Sequence, residues 1–168
     1  METLLTVISG LLGAAVGSFL NVCIDRLPAG KSLAYPPSHC DACQRRLTPL
    51  DLIPVVSYLW LRRRCRYCRA PIPRRVLWVE LGTGLLFAFI YRQLGLSTQL
   101  AVTMFYSALF IVLGVIDLEQ KLLLNKIIYP AAGIALIIDG FLPHSPGIVS
   151  GLIGGGIGFT LLLIPALI

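Results

Sequence analysis

Four cysteines are the residues of this sequence whose type and spacing most directly suggest chemistry. They form two Cys-x-x-Cys pairs, Cys40 with Cys43 and Cys65 with Cys68, separated by 21 residues. Two such pairs supply four thiolates, which is enough for tetrahedral Zn²⁺ in a closed structural site. A disulfide framework, a redox-active pair and unliganded thiols are the alternatives, and the choice among them depends on the compartment.

Asp117 is a second candidate for chemistry. It directly follows the apolar run FIVLGVI at 110–116, so it lies at the end of a predicted membrane span. An ionisable group at membrane depth is costly and is a functional-site hypothesis by default. A loop carboxylate that only ends a span is the alternative. Glu80 begins another predicted span beside Arg74 and Arg75, and a structural ion pair is its simpler interpretation.

The elements that must position these residues are membrane helices. With 57% apolar and 13% charged residues and a mean hydropathy of +0.84, the chain is too apolar for a soluble domain. A helix needs roughly 20 apolar residues to cross a hydrocarbon core of about 30 Å. Windows of that kind occur at 3–25, 77–95, 98–116 and 147–168, and a shorter one with Pro130 occurs at 127–142. We therefore predict an all-α polytopic membrane protein with about five transmembrane helices.

The cations predict the orientation of these helices. Eleven of the 14 Lys and Arg residues lie between Arg26 and Arg75, and cations in short loops mark the cytoplasmic side. The loop with the cysteines is therefore predicted to be cytoplasmic, and Met1 to lie outside. Cytosolic thiols are kept reduced, which argues against a disulfide framework and favours a metal.

The basic loop carries two further expectations. The arginines near the cysteines favour thiolates and offset the charge of a four-cysteine zinc site. They also place the loop close to anionic lipid headgroups, each nearby cation contributing on the order of 1 kcal/mol. Nucleic-acid binding is not expected, because predicted membrane spans flank the loop. A thioredoxin-like redox motif would need a βαβ setting that the loop lacks, but redox exchange and unliganded thiols remain open.

The stretch GAAVGSFLNVCIDRLPAGKSLAYPPSHCDAC, residues 13–43, is more specific than composition. It strongly resembles the amino-terminal domain of bacterial type IV prepilin peptidases, whose pattern includes Gly-Ser-Phe-Leu-Asn-Val, then Arg-Leu-Pro, then a run through a first cysteine pair. Here these are Gly17 to Val22, Arg26 to Pro28 and Pro37 to Cys43. The similarity continues through DLIPVVSYLWL and CRYC, and more loosely through PIPRRVLWVEL and VIDLEQKLLLN.

The resemblance implies a bifunctional enzyme of the bacterial inner membrane. Such enzymes cleave the short basic leader of prepilins and pseudopilins, the substrates of type IV pilus and type II secretion systems, at the cytoplasmic face. They then methylate the new amino terminus with S-adenosylmethionine, whose binding residues the sequence does not identify. They are aspartic peptidases with two membrane-edge aspartates. The first of these matches Asp117, and their cysteine loop matches the four cysteines here.

The sequence departs from the family pattern in places. The second aspartate belongs to a Gly-x-Gly-Asp segment, which does not occur in these 168 residues. We expect either a chain that lacks its C-terminal part or a degenerate copy, and the apolar ending TLLLIPALI favours the former. Arg63 also stands where the family usually has Gly, and Val76 and Leu77 stand where Tyr-Pro is common.

Together these features predict three parts. They are a transmembrane helix at 1–25, a cytoplasmic basic loop with a zinc-ribbon-like four-cysteine site at 26–76, and an incomplete transmembrane peptidase domain at 77–168. Gly13 and Gly17 have the four-residue spacing that lets helices approach closely. The alternative function is a non-catalytic membrane protein whose zinc-bearing loop docks pilus or secretion machinery. No oligomeric state is predicted.

Overall fold

The computed structural model describes residues 1–121, 125–141 and 153. Its helices are α1 (Glu2–Arg26), α2 (Val56–Trp60), α3 (Arg74–Leu94), α4 (Thr98–Gln120) and α5 (Asn125–Phe141), with a 3-10 turn at Pro49–Leu52. In the described residues the only extended pairing consists of two isolated bridges, both next to cysteines. The predicted all-α class is therefore confirmed for this part of the chain.

Two described helices, α1 and α4, are long and apolar enough to cross a membrane, with mean hydropathies of 2.0 and 2.1. The other predicted windows have different outcomes. Helix α3 covers the window at 77–95 but also carries Arg74, Arg75, Glu80 and Arg92, which lower its hydropathy. Helix α5 covers most of the window at 127–142 and contains Pro130, and the window at 147–168 lies almost wholly outside the described residues. The number of five spans therefore remains a prediction.

The chain divides into two compact units, Met1–Leu123 and Leu124–Ile168. In the first unit, α1 packs mainly along α3, and α4 contacts both helices. The buried side chains of this unit include Ile24 of α1, Phe87 of α3 and Ile116 of α4. The second unit contains α5, in which Ala131 is buried. The core that positions the site is thus the three-helix contact of the first unit.

Glycines allow α1 and α3 to approach closely. A Cβ built on Gly13 would lie 2.6 Å from the Thr83 carbonyl oxygen, and one on Gly17 would lie 2.8 Å from the Glu80 Cα. Neither position can hold a larger residue unless the helices move apart, so the predicted packing role of the two glycines is confirmed. Asn21, one turn further on, donates from Nδ2 to the Val76 carbonyl over 3.2 Å and connects the same two helices.

Candidate metal centre and helix-end charges

The four cysteines that the sequence singles out converge on one point. Their Sγ atoms all lie within 4.8 Å of one another, and the Sγ atoms of Cys40 and Cys68 are 3.7 Å apart. In tetrahedral coordination with Zn–S bonds of about 2.3 Å, neighbouring sulfurs are about 3.8 Å apart. The donor set therefore fits a tetrahedral metal ion, and the Cys40–Cys68 separation has the value that such a site requires.

Both cysteine pairs are held by the same backbone turn. In the first pair the Cys40 amide donates to the Arg45 carbonyl over 3.0 Å, and the Gln44 amide donates back to the Cys40 carbonyl over 2.8 Å. The equivalent bonds around Cys65 are 2.8 and 3.0 Å long. Each turn is closed by an isolated bridge, His39 with Arg46 and its counterpart in the second pair. The loop thus contains two copies of one turn, each of which presents a cysteine pair to the shared thiol cluster.

These turns require left-handed backbone. The residue after each pair has a positive φ, 55° at Gln44 and 60° at Arg69, and so do Arg62 and Arg63 before the second pair, at 50° and 62°. A non-glycine residue in this region is disfavoured by about 1–2 kcal/mol. Arg63 stands where the family pattern has Gly, so the departure noted in the sequence falls on a strained position.

Backbone amides and neighbouring thiols shift the pKa values of Cys65 and Cys68 in opposite directions. The Cys68 and Tyr67 amides donate to the Cys65 sulfur and lower the pKa of Cys65 to about 7. At Cys68 the Ala70 amide favours the thiolate, but burial and the neighbouring thiols outweigh it and raise the pKa of Cys68 to about 11. Four adjacent thiolates cannot coexist without a compensating cation. Binding a metal would therefore release protons from the cluster.

Asp51 joins the two halves of the cysteine loop. Its carboxylate accepts hydrogen bonds from the Thr48 amide at 3.0 Å and the Thr48 hydroxyl at 2.7 Å, and from Arg66 Nε at 2.7 Å. Burial opposes its charge, but the bonds from Thr48 and Arg66 prevail and hold the pKa of Asp51 below its usual range. Because Arg66 lies between Cys65 and Cys68, this ion pair fixes the second turn relative to the segment that leaves the first.

The segment between the cysteine pairs is anchored on α3. The Val55 amide, at the start of α2, donates to Glu80 Oε2 over 2.7 Å, and the Ser18 hydroxyl is a second donor to Glu80. Tyr58 of α2 is only 3% exposed. The expected ion pair of Glu80 with the neighbouring arginines is therefore wrong. Glu80 lies buried and accepts from the loop backbone, while Arg75 pairs elsewhere.

Arg75 connects the ends of three helices. Its Nη2 lies 2.7 Å from Asp25 Oδ1 in the last turn of α1, and its Nη1 lies 2.7 Å from Glu119 Oε2 in the last turn of α4. Each charge is at the end of its helix that the helix dipole disfavours: the acids at C-termini and the arginine at an N-terminus. Mutual pairing compensates for these placements, and this reversed pattern is the sequence signal that could have identified the cluster.

Another arginine shapes the approach to the first cysteine pair. Arg26, the last residue of α1, donates from Nη1 to the Ser32 carbonyl over 2.9 Å and from Nη2 to the Pro36 carbonyl over 2.6 Å. The chain therefore turns around this guanidinium before it reaches Cys40. Arg26 belongs to the Arg-Leu-Pro motif, whose structural role is thus to direct the loop away from α1.

Asp117 lies in the last turn of α4, where its side chain is exposed. Its carbonyl accepts the Lys121 amide over 2.8 Å, and Lys121 ends the helix in a left-handed conformation. The cysteine cluster does not include Asp117. The structure thus places the two candidate groups on different elements, with Asp117 two residues from the Glu119 that Arg75 holds.

Comparison with known proteins assigns the family. Residues 11–94 match the family described as Bacterial Peptidase A24 N-terminal domain. A prepilin leader peptidase/N-methyltransferase of Myxococcus xanthus is 42% identical over 128 residues, which are 75% of this chain and 38% of that protein. The enzyme of the same name from Bacillus subtilis is 31% identical, with 94% of this chain and 63% of that protein covered.

The chain covers only part of the length of several of these relatives. The chain spans 38% of the Myxococcus protein and 53% of the relatives from Stutzerimonas stutzeri and Pseudomonas aeruginosa, about half the length of the proteins it matches. The Klebsiella pneumoniae relative, 31% identical, is covered over 67% of its length. No solved structure is significantly similar to the chain. With the cysteine loop, the motif order and these matches in agreement, the chain belongs to the prepilin leader peptidase/N-methyltransferase family.

Proposed function

We propose that this chain is part of an enzyme that removes the leader of type IV prepilins and pseudopilins and then N-methylates the new amino terminus. The observation that carries the proposal is the match of residues 11–94 to the A24 amino-terminal domain, together with relatives named for both activities. The enzyme works at the cytoplasmic face of the bacterial inner membrane. Its methyl donor is S-adenosylmethionine, to which no residue of this chain is assigned.

In this proposal Asp117 is one of the two carboxylates of an aspartic peptidase. One ionised carboxylate takes a proton from the attacking water, and one protonated carboxylate donates a hydrogen bond to the scissile carbonyl. Two close carboxylates share a proton and titrate as a pair, which supplies both states together. Asp117 is exposed at the end of α4, so a second carboxylate and a peptide can approach it. The pairing of Arg75 with Glu119 would hold this last helical turn in place.

The four cysteines hold a structural Zn²⁺ in this proposal. The convergence of the four Sγ atoms, with Cys40 and Cys68 at 3.7 Å, supports the assignment. A Cys₄ site is closed and offers no open position for a substrate, so the metal would order the loop rather than take part in cleavage. The loop, residues 26–76, lies on the cytoplasmic side, between a first transmembrane helix at 1–25 and the peptidase domain that begins at 77.

A leader-cleavage assay tests the catalytic assignment. The complete gene product should cleave a prepilin or pseudopilin, and Asp117→Asn should lower the rate at least about a hundredfold, the usual contribution of a positioned acid–base group. Glu2→Gln is the matched control, because it also neutralises one acid. Glu2 lies at the start of α1, whereas the end of α1 is the part that Arg75 links to the end of α4. Unchanged cleavage by Asp117→Asn would exclude the role. Absence of cleavage by the wild type would favour the non-catalytic docking protein.

Metal analysis tests the zinc site separately. Purified protein should contain about one zinc per chain, and the double variant Cys40→Ser, Cys65→Ser should contain none. Cys23→Ser is the matched control, because Cys23 is buried in α1 and outside the cluster. Zinc retained by the double variant, or lost from the control alone, would reject the site.

A further inference from the structure

Helix α2 presents an apolar face that the rest of the described chain leaves uncovered. Tyr58 turns inward, whereas Trp60 is 82% exposed, Leu59 61% and Val56 54%. A short helix with one anchored aromatic residue and three large exposed apolar residues is unusual at a water-facing surface. We therefore expect a binding partner that buries these apolar side chains.

Cations border this apolar face. Arg62, Arg63 and Arg64 follow α2 directly and are all exposed. Arg66 and Arg75 pair with acids elsewhere in the chain, but among the described residues no ion pair involves Arg62, Arg63 or Arg64. Apolar side chains next to uncompensated arginines complement a surface that is apolar inside and anionic outside, as the cytoplasmic leaflet of a membrane is.

The depth of α2 agrees with such a surface. The hydrogen bond of 2.7 Å from the Val55 amide to Glu80 places the start of α2 beside the second turn of α3. Glu80 follows the first residue of α3 by six positions, which corresponds to about 9 Å along the helix axis. Helix α2 therefore begins level with the terminal turns of the long helices and does not project far beyond them.

We propose that α2 and the following arginines form an interfacial anchor that binds anionic phospholipid headgroups. Trp60 and Leu59 enter the headgroup region, where tryptophan is enriched, and Arg62 to Arg64 contact lipid phosphates. The anchor would hold the cysteine loop down on the bilayer beside the end of α3. The proposal rests on the membrane location proposed above, but not on the peptidase activity.

Tryptophan fluorescence of the 168-residue chain in nanodiscs tests the anchor, because the chain has only two tryptophans. Trp78→Phe leaves Trp60 as the reporter, and Trp60→Phe leaves Trp78, which lies exposed on α3. Discs contain either phosphatidylcholine alone or 30% phosphatidylglycerol, a proportion chosen for the assay, with a nitroxide quencher on a fraction of the choline headgroups. Trp60 should be quenched and blue-shifted in the anionic discs, and less so in the neutral ones.

Charge variants make the test specific to the headgroups. Replacing Arg62 and Arg63 by Gln should reduce the ratio of docked to undocked Trp60 about fivefold per residue, which follows from about 1 kcal/mol per cation near an anionic surface. The control replaces Lys31 and Arg45 by Gln; it removes the same charge from a part of the loop remote in sequence from α2, and it should have the smaller effect. An unchanged zinc content in both charge variants would show that the loop remains folded in each.

Three outcomes would overturn the proposal itself, and a fourth would overturn the membrane location on which it rests. In the first, Trp60 keeps a water-exposed spectrum in anionic discs while Trp78 is quenched, which removes the anchor but leaves the membrane location intact. In the second, Trp60 is quenched equally in both lipids, which removes the anionic headgroup as the ligand. In the third, Trp60 becomes protected only when a pseudopilin is added, which assigns the face to a protein. If neither tryptophan is quenched, the membrane location itself fails.

Discussion

The contact between α1 and α3 gives the sharpest prediction, because it leaves no room for one methyl group. A Cβ at Gly13 would lie 2.6 Å from the Thr83 carbonyl oxygen and 2.7 Å from the Phe87 Cβ. The carbonyl oxygen belongs to the α3 backbone and cannot turn away as a side chain can. Gly13→Ala should therefore force the two helices apart.

The size of the effect follows from these distances. Ordinary contact begins near 3.4 Å, so the helices must separate by about 0.8 Å at Gly13, and overpacking of this kind costs about 1–3 kcal/mol. Alanine is the better helix former by about 1 kcal/mol, which offsets part of that cost. We expect a net loss of up to about 2 kcal/mol in the free energy of unfolding. Gly17→Ala should behave alike, because its Cβ would meet the Glu80 Cα at 2.8 Å.

Denaturation of the purified chain in detergent micelles, followed by circular dichroism, measures this loss. Two glycines provide matched controls in the same helix pair. A Cβ at Gly10 would make contacts of 3.5 Å, and one at Gly82 would meet nothing within 4 Å. Both alanine variants should be as stable as the wild type or more stable. If Gly13→Ala proved as stable as Gly82→Ala, the close packing of α1 on α3 would be wrong.

Three further predictions concern the loop and the helix ends. Arg63→Gly should raise the stability of the loop by about 1 kcal/mol in denaturation, because glycine adopts the φ of 62° without strain. The charge-matched control Arg64→Gly should not. Asp51→Asn should destabilise the loop by about 2 kcal/mol at pH 7, because it removes charge-assisted hydrogen bonds. The pKa of Asp51 is lowered in the folded state, so its contribution to stability is complete above the unfolded pKa of about 3.9 and disappears as the pH falls through the folded pKa. The free energies of unfolding of the wild type and of Asp51→Asn should therefore converge in acid. Arg75→Gln should cost about 1 kcal/mol, because its partners are partly exposed, and Arg75→Lys should recover part of that loss.

The sequence was informative where a few neighbouring residues decide the structure. Apolar runs predict helices because each segment of about 20 residues carries its own hydropathy, and α1 and α4 match their predicted windows closely. Cys40 and Cys43 predict a shared site because a three-residue spacing keeps two thiols close in almost any turn. The order of the motifs along the chain indicated the family, which no single residue could identify.

Sequence reasoning failed where the partner is distant in the chain. Arg75 bonds to Asp25, 50 residues away, and to Glu119, 44 residues away, although Glu80 is much nearer in sequence. An arginine can reach any of these acids, and only the packing of α1 and α4 on α3 selects between them. The bond from Val55 to Glu80 could not be predicted either, because its donor is a backbone amide and backbone amides are present at every residue except proline.

The cysteine loop and the helix seam are stabilised by different interactions. Residues 40–72 are held by the two turns, by Asp51 with Arg66 and by the thiol cluster, and none of these interactions involves Gly13 or Gly17. The Val55–Glu80 bond is a polar link between the two regions, and it ends on the same turn of α3 that Gly17 contacts. Removal of the proposed zinc should therefore loosen the loop as far as Val55 while α1 and α3 stay packed. A methyl group at Gly17 should displace Glu80 and so disturb the loop from the helix side, even with the proposed zinc in place.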